Sequence, residues 1–172
     1  MPKSRVSPLP TSGATPTTRC LPWLRGALLW ATAYAVVMMG SVALELALSP
    51  WLLAVWWATV QIGLAVAVGC LYRGQPRAWR WGAVAALLLT GGLLTLAAPE
   101  GLLLPALQAL ALAGFSLVLY DLGRLSGRPL QAPGGVLFLS VIASYVLHTP
   151  LTAFIGLALL ALGAMLALRQ LL

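Results

Sequence analysis

Six apolar runs, separated by short polar or proline-bearing breaks, leave this chain one environment in which to fold. They are Leu24 to Leu48, Trp51 to Tyr72, Trp79 to Ala98, Leu102 to about Leu125, Gly134 to His148 and Leu151 to Leu172. About 20 helical residues cross the roughly 30 Å of hydrocarbon in a bilayer. All the runs except Gly134 to His148 reach that length; this one has about 15 residues and opens on Gly134-Gly135. Only 8% of the residues are charged and 61% are hydrophobic, whereas a soluble domain is about 25% charged. So few charges could not cover a soluble surface. The expected fold is an all-α polytopic membrane protein, a six-transmembrane-helix bundle built as three hairpins.

The positive charges orient it. Ser49-Pro50, Pro99-Glu100-Gly101 and Thr149-Pro150 read as tight turns, because proline opens a helix well and sits inside one badly. None of these turns carries Lys or Arg; all ten such residues lie elsewhere, at Lys3, Arg5, Arg19, Arg25, Arg73, Arg77, Arg80, Arg124, Arg128 and Arg169. Short cytoplasmic loops collect Lys and Arg, so both termini are expected inside and the proline turns outside. Trp23, Trp79 and Trp81 flank inner ends and Trp51 an outer one, as interfacial aromatic residues do. Trp30, Trp56 and Trp57 lie deeper, against lipid or a neighbouring helix.

Residues 1–22 are rich in Pro, Ser and Thr and have no apolar h-region. They read as a disordered cytoplasmic tail and not as a signal peptide, with residues 23–172 as the transmembrane domain. Cys20 and Cys70 fall on the inner side, where thiols are expected to stay reduced, and neither has metal-ligand spacing. The net charge of +7 comes from residues placed singly at helix ends. That pattern fits anionic lipid head groups and not nucleic acid.

Few groups could carry chemistry. The acids are Glu45, Glu100 and Asp121. Asp121 precedes Arg124 by three residues, which favours a local ion pair. Glu45 is about one turn inside the outer end of the first helix, where an acid is either structural or functional. It ends a helical stripe of Tyr34, Met38 and Ser41. Ser140, Ser144 and His148 form a second stripe, with Tyr145 beside it. His148 is the single histidine and could meet Glu45 across the bundle, or simply cap the outer turn with Thr149. Gln61 and Gln108 are further polar side chains within spans, suited to hydrogen bonds between helices. The spacings Ala65/Gly69, Gly82/Ala86 and Gly163/Ala167 permit close helix packing. With no Cys or His cluster, no paired intramembrane aspartates and no phosphate loop, the expectation is a protein without cofactor, metal or catalysis.

The order of features resembles the MreD family, the small membrane subunit of the bacterial cell-elongation machinery. The residues that carry the likeness are Ser49-Pro50-Trp51-Leu52-Leu53, Arg73-Gly74, Gly82 with Gly91 and Gly92, and Pro99-Glu100-Gly101-Leu102 with Ala106-Leu107. Thr90-Gly91-Gly92-Leu93-Leu94-Thr95 departs from it, lacking the acid that family usually carries near the end of its third helix. The resemblance implies a non-catalytic scaffold in the bacterial inner membrane, serving cell shape and peptidoglycan synthesis. It would partner MreC and the glycan polymerase and transpeptidase pair. Six short helices are also similar to the substrate-binding subunits of energy-coupling-factor transporters, which implies instead a small-solute site facing outward near Glu45 and His148. A third reading is an accessory subunit of a respiratory or photosynthetic complex.

Overall fold

A computed structural model describes residues 16–44, 47–71, 78–98, 103–146 and 149–172; the side chains of 16–19, 78, 146 and 150 stand outside that description. Its elements are all helices: α1 (Pro16–Ala43), α2 (Pro50–Leu71), α3 (Ala78–Ala97), α4 (Leu104–Ser126), α5 (Gln131–Val141) and α6 (Pro150–Leu171). No strand occurs among the described residues. Five helices, all but α5, are long and apolar enough to cross a membrane. The short fifth run forms α5 and continues as a π-helical turn, Ile142–Val146.

The element boundaries follow local chemistry. Pro50 opens α2 and Pro150 opens α6, positions where the missing N–H has no helix partner to lose. Thr149 caps α6 reciprocally with Thr152, each side chain meeting the other's backbone N–H. Gly127, at φ 66°, ends α4 in the left-handed conformation that glycine adopts without a Cβ clash. The first helix departs from expectation. It begins at Pro16, so residues 16–22, read as tail, are helical, and Pro22 lies inside the helix. Pro16 suits a first turn, and Pro22 costs one backbone hydrogen bond.

Each helix packs against its neighbours in the chain, and α1 packs against α6, which closes a ring. Its interior is filled by Leu24, Leu28 and Ala31 of α1, Val60, Leu64 and Val68 of α2, Phe115 and Leu119 of α4 and Ala164 of α6. Glycines let the short α5 sit close to its neighbours. A Cβ on Gly134 would stand 2.9 Å from the Ser116 carbonyl oxygen of α4, and one on Gly163 of α6 would stand 2.8 Å from Leu137 Cγ. Gly156 of α6 receives the Ser144 side chain in the same manner.

The two cysteines correct an expectation. Cys20 and Cys70 are joined by a disulfide across 50 residues of chain, with Cα atoms 5.7 Å apart. The start of α1 and the end of α2 meet here, so two residues far apart in sequence come within bonding range. Nearby in the fold, the Arg25 Nη2 donates to the Leu171 carbonyl, and Arg128 Nη1 donates to the Gln170 carbonyl at 3.0 Å. Two cations therefore satisfy carbonyls left open at the C-terminus of α6, where the helix dipole also favours positive charge.

Candidate functional site

The opposite end of the ring is hollow. The C-terminal halves of α1, α3 and α5 and the N-terminal halves of α2, α4 and α6 line two adjoining cavities of about 500 and 270 Å³. They share Tyr34, Trp57 and Gln108. The larger adds Pro50, Trp51, Thr95 and Pro105; the smaller adds Ser140, Ser144, Tyr145 and Leu157. Below them the ring is closed: a void of only about 10 Å³ remains among Leu28, Val60, Leu64, Phe115 and Ala164, with Trp57 above it. That void has room for about one water but is lined almost wholly by carbon, so it stays dry.

Aromatic packing builds the floor. Trp57 is 8% exposed. Its ring centroid lies 5.0 Å from that of Tyr34, tilted by 33°. Tyr34 also meets Trp56 edge-on at 5.8 Å, and Trp56 meets Trp30 at 5.1 Å. Such offset and edge contacts are the preferred arrangements of aromatic pairs. Trp30 fixes its own position by donating from Nε1 to Thr59 Oγ1 at 2.9 Å.

A hydrogen-bonded line crosses the cavity wall. Thr95 Oγ1 donates to the Gly91 carbonyl at 2.7 Å, which uses its only proton. Its contact with Gln108 at 3.0 Å must then be donated by Gln108 Nε2. That fixes the amide's orientation and turns Oε1 toward Tyr145, whose hydroxyl donates to it at 3.2 Å. The line thus ties α3, α4 and the end of α5 together by neutral groups. The π-helical turn at Ile142–Val146 carries both Ser144 and Tyr145. A wide turn of this type re-aims side chains within a helix and is common at functional sites.

Of the residues singled out in the sequence, Gln108, Ser140 and Ser144 come together at this cavity. Ser140 is 3% exposed and donates to the Leu137 carbonyl at 2.8 Å. Ser144 forms no hydrogen bond among the described residues. Gln61 is elsewhere: fully buried between α2 and α3, its amide faces Gly91 and neither of its polar atoms has a partner among the described residues. Asp121 and Arg124 do not form the expected ion pair, and each is without a polar partner among the described residues. They lie near the end of α4, Arg124 exposed, where water competes effectively for an ion pair. Glu45 and His148, and with them the idea that they meet, lie outside the described residues, as does Glu100.

Sequence reading passed over Tyr34, Trp57, Thr95 and Tyr145 as members of one site. Tyr34 and Tyr145 stood on or beside the polar stripes, but no periodicity links a threonine near the end of α3 to a tyrosine in a π turn. Among the described residues no group of three or more His, Cys, Asp or Glu side chains could hold a metal ion. Comparison with protein-family models, with curated proteins and with solved structures finds no match.

Proposed function

We propose that this is a non-catalytic, multi-pass membrane protein that holds a small solute in the cavity end of its helical ring, in the manner of a transport-associated binding subunit. What supports the reading is one observation: two adjoining cavities, of about 500 and 270 Å³, flank a buried amide held by Thr95 and Tyr145. Ligand sites are typically concave, largely apolar and furnished with a few placed polar groups, at about 300–1,000 Å³. In this reading the helices form three hairpins in the bacterial inner membrane, both termini are cytoplasmic and the cavity opens outward. The ten-to-none distribution of Lys and Arg between the two sides motivates that orientation. The Cys20–Cys70 disulfide pulls the other way, since cytosolic thiols are usually reduced. Cys20 is 3% exposed and Cys70 partly buried, so the Cys20 half of the bond lies away from soluble reductants, and the orientation proposed here follows the charges.

The test is binding by the purified full chain in lipid nanodiscs, screened against a panel of small metabolites by equilibrium dialysis. Saturable binding that is lost in Gln108→Leu supports the reading; no binding above empty nanodiscs across the panel removes it.

A second reading, a scaffold subunit resembling MreD, draws on a groove on the outside of α1 and α2. Trp23, Gly26, Trp30, Thr59 and Gly63 line it, and nothing lies within 4 Å of a Cβ placed on Gly26. Small residues let a partner helix approach closely in lipid. Co-purification from native membranes with the MreC-type partner or the polymerase and transpeptidase pair, lost in Gly26→Leu, would favour this reading.

A further inference from the structure

The chemistry of the cavity wall narrows the solute, on the premise that the cavity is a ligand site. Every described residue lining the two cavities is uncharged: aromatic, aliphatic, proline, hydroxyl or amide. Among these described residues none offers a counter-charge, so an ion held against them would lose water at a cost that hydroxyls and one amide do not offset. The floor is aromatic, with the Trp57 and Tyr34 rings 5.0 Å apart, and a planar π-system stacks well against such faces.

The hydrogen-bond inventory then sets the ligand's polar edge. Gln108 Nε2 spends one proton on Thr95 and keeps a second; Oε1 accepts from Tyr145. Tyr145 has donated its proton and retains acceptor lone pairs. The Thr95 and Ser140 protons are committed to the Gly91 and Leu137 carbonyls. Ser144, half-buried on the cavity wall, packs its side chain against Gly156 and has no hydrogen-bond partner for its hydroxyl among the described residues. The wall therefore offers an N–H donor, an acceptor oxygen and one hydroxyl of either sense, all neutral. Their complement is a group that both accepts and donates without charge, as a carboxamide or lactam does.

We propose that the cavity takes an uncharged, planar heteroaromatic molecule bearing a carboxamide- or lactam-like edge, its ring on Trp57 and Tyr34 and its polar edge at Gln108, Tyr145 and Ser144. Three probes of nearly one shape test it: indole-3-acetamide, neutral; indole-3-acetate, an anion; and tryptamine, a cation. Equilibrium dialysis against the full chain in nanodiscs, corrected with empty nanodiscs, reads the binding of each. The amide is expected to bind at least about tenfold tighter than either ion, a ratio set by the desolvation of an unpaired charge. Gln108→Leu should abolish that preference. Ser144→Ala, which leaves the Thr95–Gln108–Tyr145 line intact, should weaken the amide about threefold to tenfold through loss of one neutral hydrogen bond. Ser116→Ala, on the packed side of the ring, should leave binding unchanged. An ion bound as tightly as the amide overturns the neutral-ligand inference while leaving the cavity a binding site. If none of the three binds, while another compound from the wider panel does so in a Gln108-dependent manner, the planar-amide inference fails alone. If nothing binds at all, the ligand-holding reading fails with it.

Discussion

The two ends of this ring are made of the same few residue types and behave oppositely. Toward the end that carries the disulfide, Leu24, Leu28, Val60, Leu64, Val68 and Phe115 fill the interior of the ring, and the void enclosed among Leu28, Val60, Leu64 and Phe115 is only about 10 Å³. At the other end, Tyr34, Trp57, Thr95, Gln108, Ser144 and Tyr145 hold walls apart around cavities fifty and twenty-seven times larger (500/10 and 270/10). Branched aliphatic side chains fill space because their shapes interlock at close-packed density. Large, stiff rings and groups tied by hydrogen bonds keep their positions and leave gaps between them. Constraint is distributed in the same sense. A covalent bond and two arginine-to-carbonyl contacts tie the packed end, whereas among the described residues the hollow end is tied by ring contacts at Tyr34 and by a neutral line through Gln108.

Breaking the partition between the ends should have the largest effect. Trp57→Ala removes the floor of the cavities and opens them to the void below. A loss of about 3–5 kcal/mol is expected for truncation of a buried tryptophan, read by denaturant titration in detergent micelles. A cost under about 1 kcal/mol would mean that Trp57 is not the divider. Next, replacing Cys20 and Cys70 with Ser should loosen only the packed end. Closing a loop of 50 residues stabilises by about 2–4 kcal/mol in the chain-entropy account. Probe binding at the hollow end should survive the change, and its loss would show that the two ends are coupled.

Gly134→Val tests how tightly α5 is held. The new side chain would begin 2.9 Å from the Ser116 carbonyl oxygen, and overpacking of this kind costs about 1–3 kcal/mol. Measured thermal stability should fall accordingly, and an unchanged midpoint would place α5 farther from α4. Gln61→Leu should have the smallest effect, with an unusual sign. Its amide is buried with both polar atoms unpaired among the described residues, so an apolar side chain of similar volume removes a desolvation cost. Stability should be unchanged or raised by about 1 kcal/mol. A clear loss would show that Gln61 has a partner in the folded protein.

The ends also differ in how readily they can be read from sequence. Apolar length and proline placement are local properties, and they locate α2, α3, α4 and α6 to within two residues. The start of α1 escaped because Pro, Thr and Arg at 16–19 look like tail by composition, while helical geometry tolerates them in a first turn. Gln108, Ser140 and Ser144 were legible as polar groups inside apolar runs. Their convergence with Thr95 and Tyr145 was not, since it depends on ring closure between α1 and α6 and on a π turn in α5. The disulfide was missed for a similar reason: redox compartment is an argument about sidedness, whereas pairing depends on where helix ends meet.

The central claim is that one end of the ring is open to small molecules and the other is closed. It is tested most directly by thiol accessibility in nanodiscs, in a background where Cys20 and Cys70 are both Ser. Ser144→Cys places a thiol on the cavity wall, and Ser116→Cys places one at a position 3% exposed. A small, water-soluble methanethiosulfonate reagent should modify the first much faster than the second, and a bound ligand should protect the first alone. Equal, slow modification of both, with no protection, would mean that the hollow end is closed in the membrane and would contradict the account.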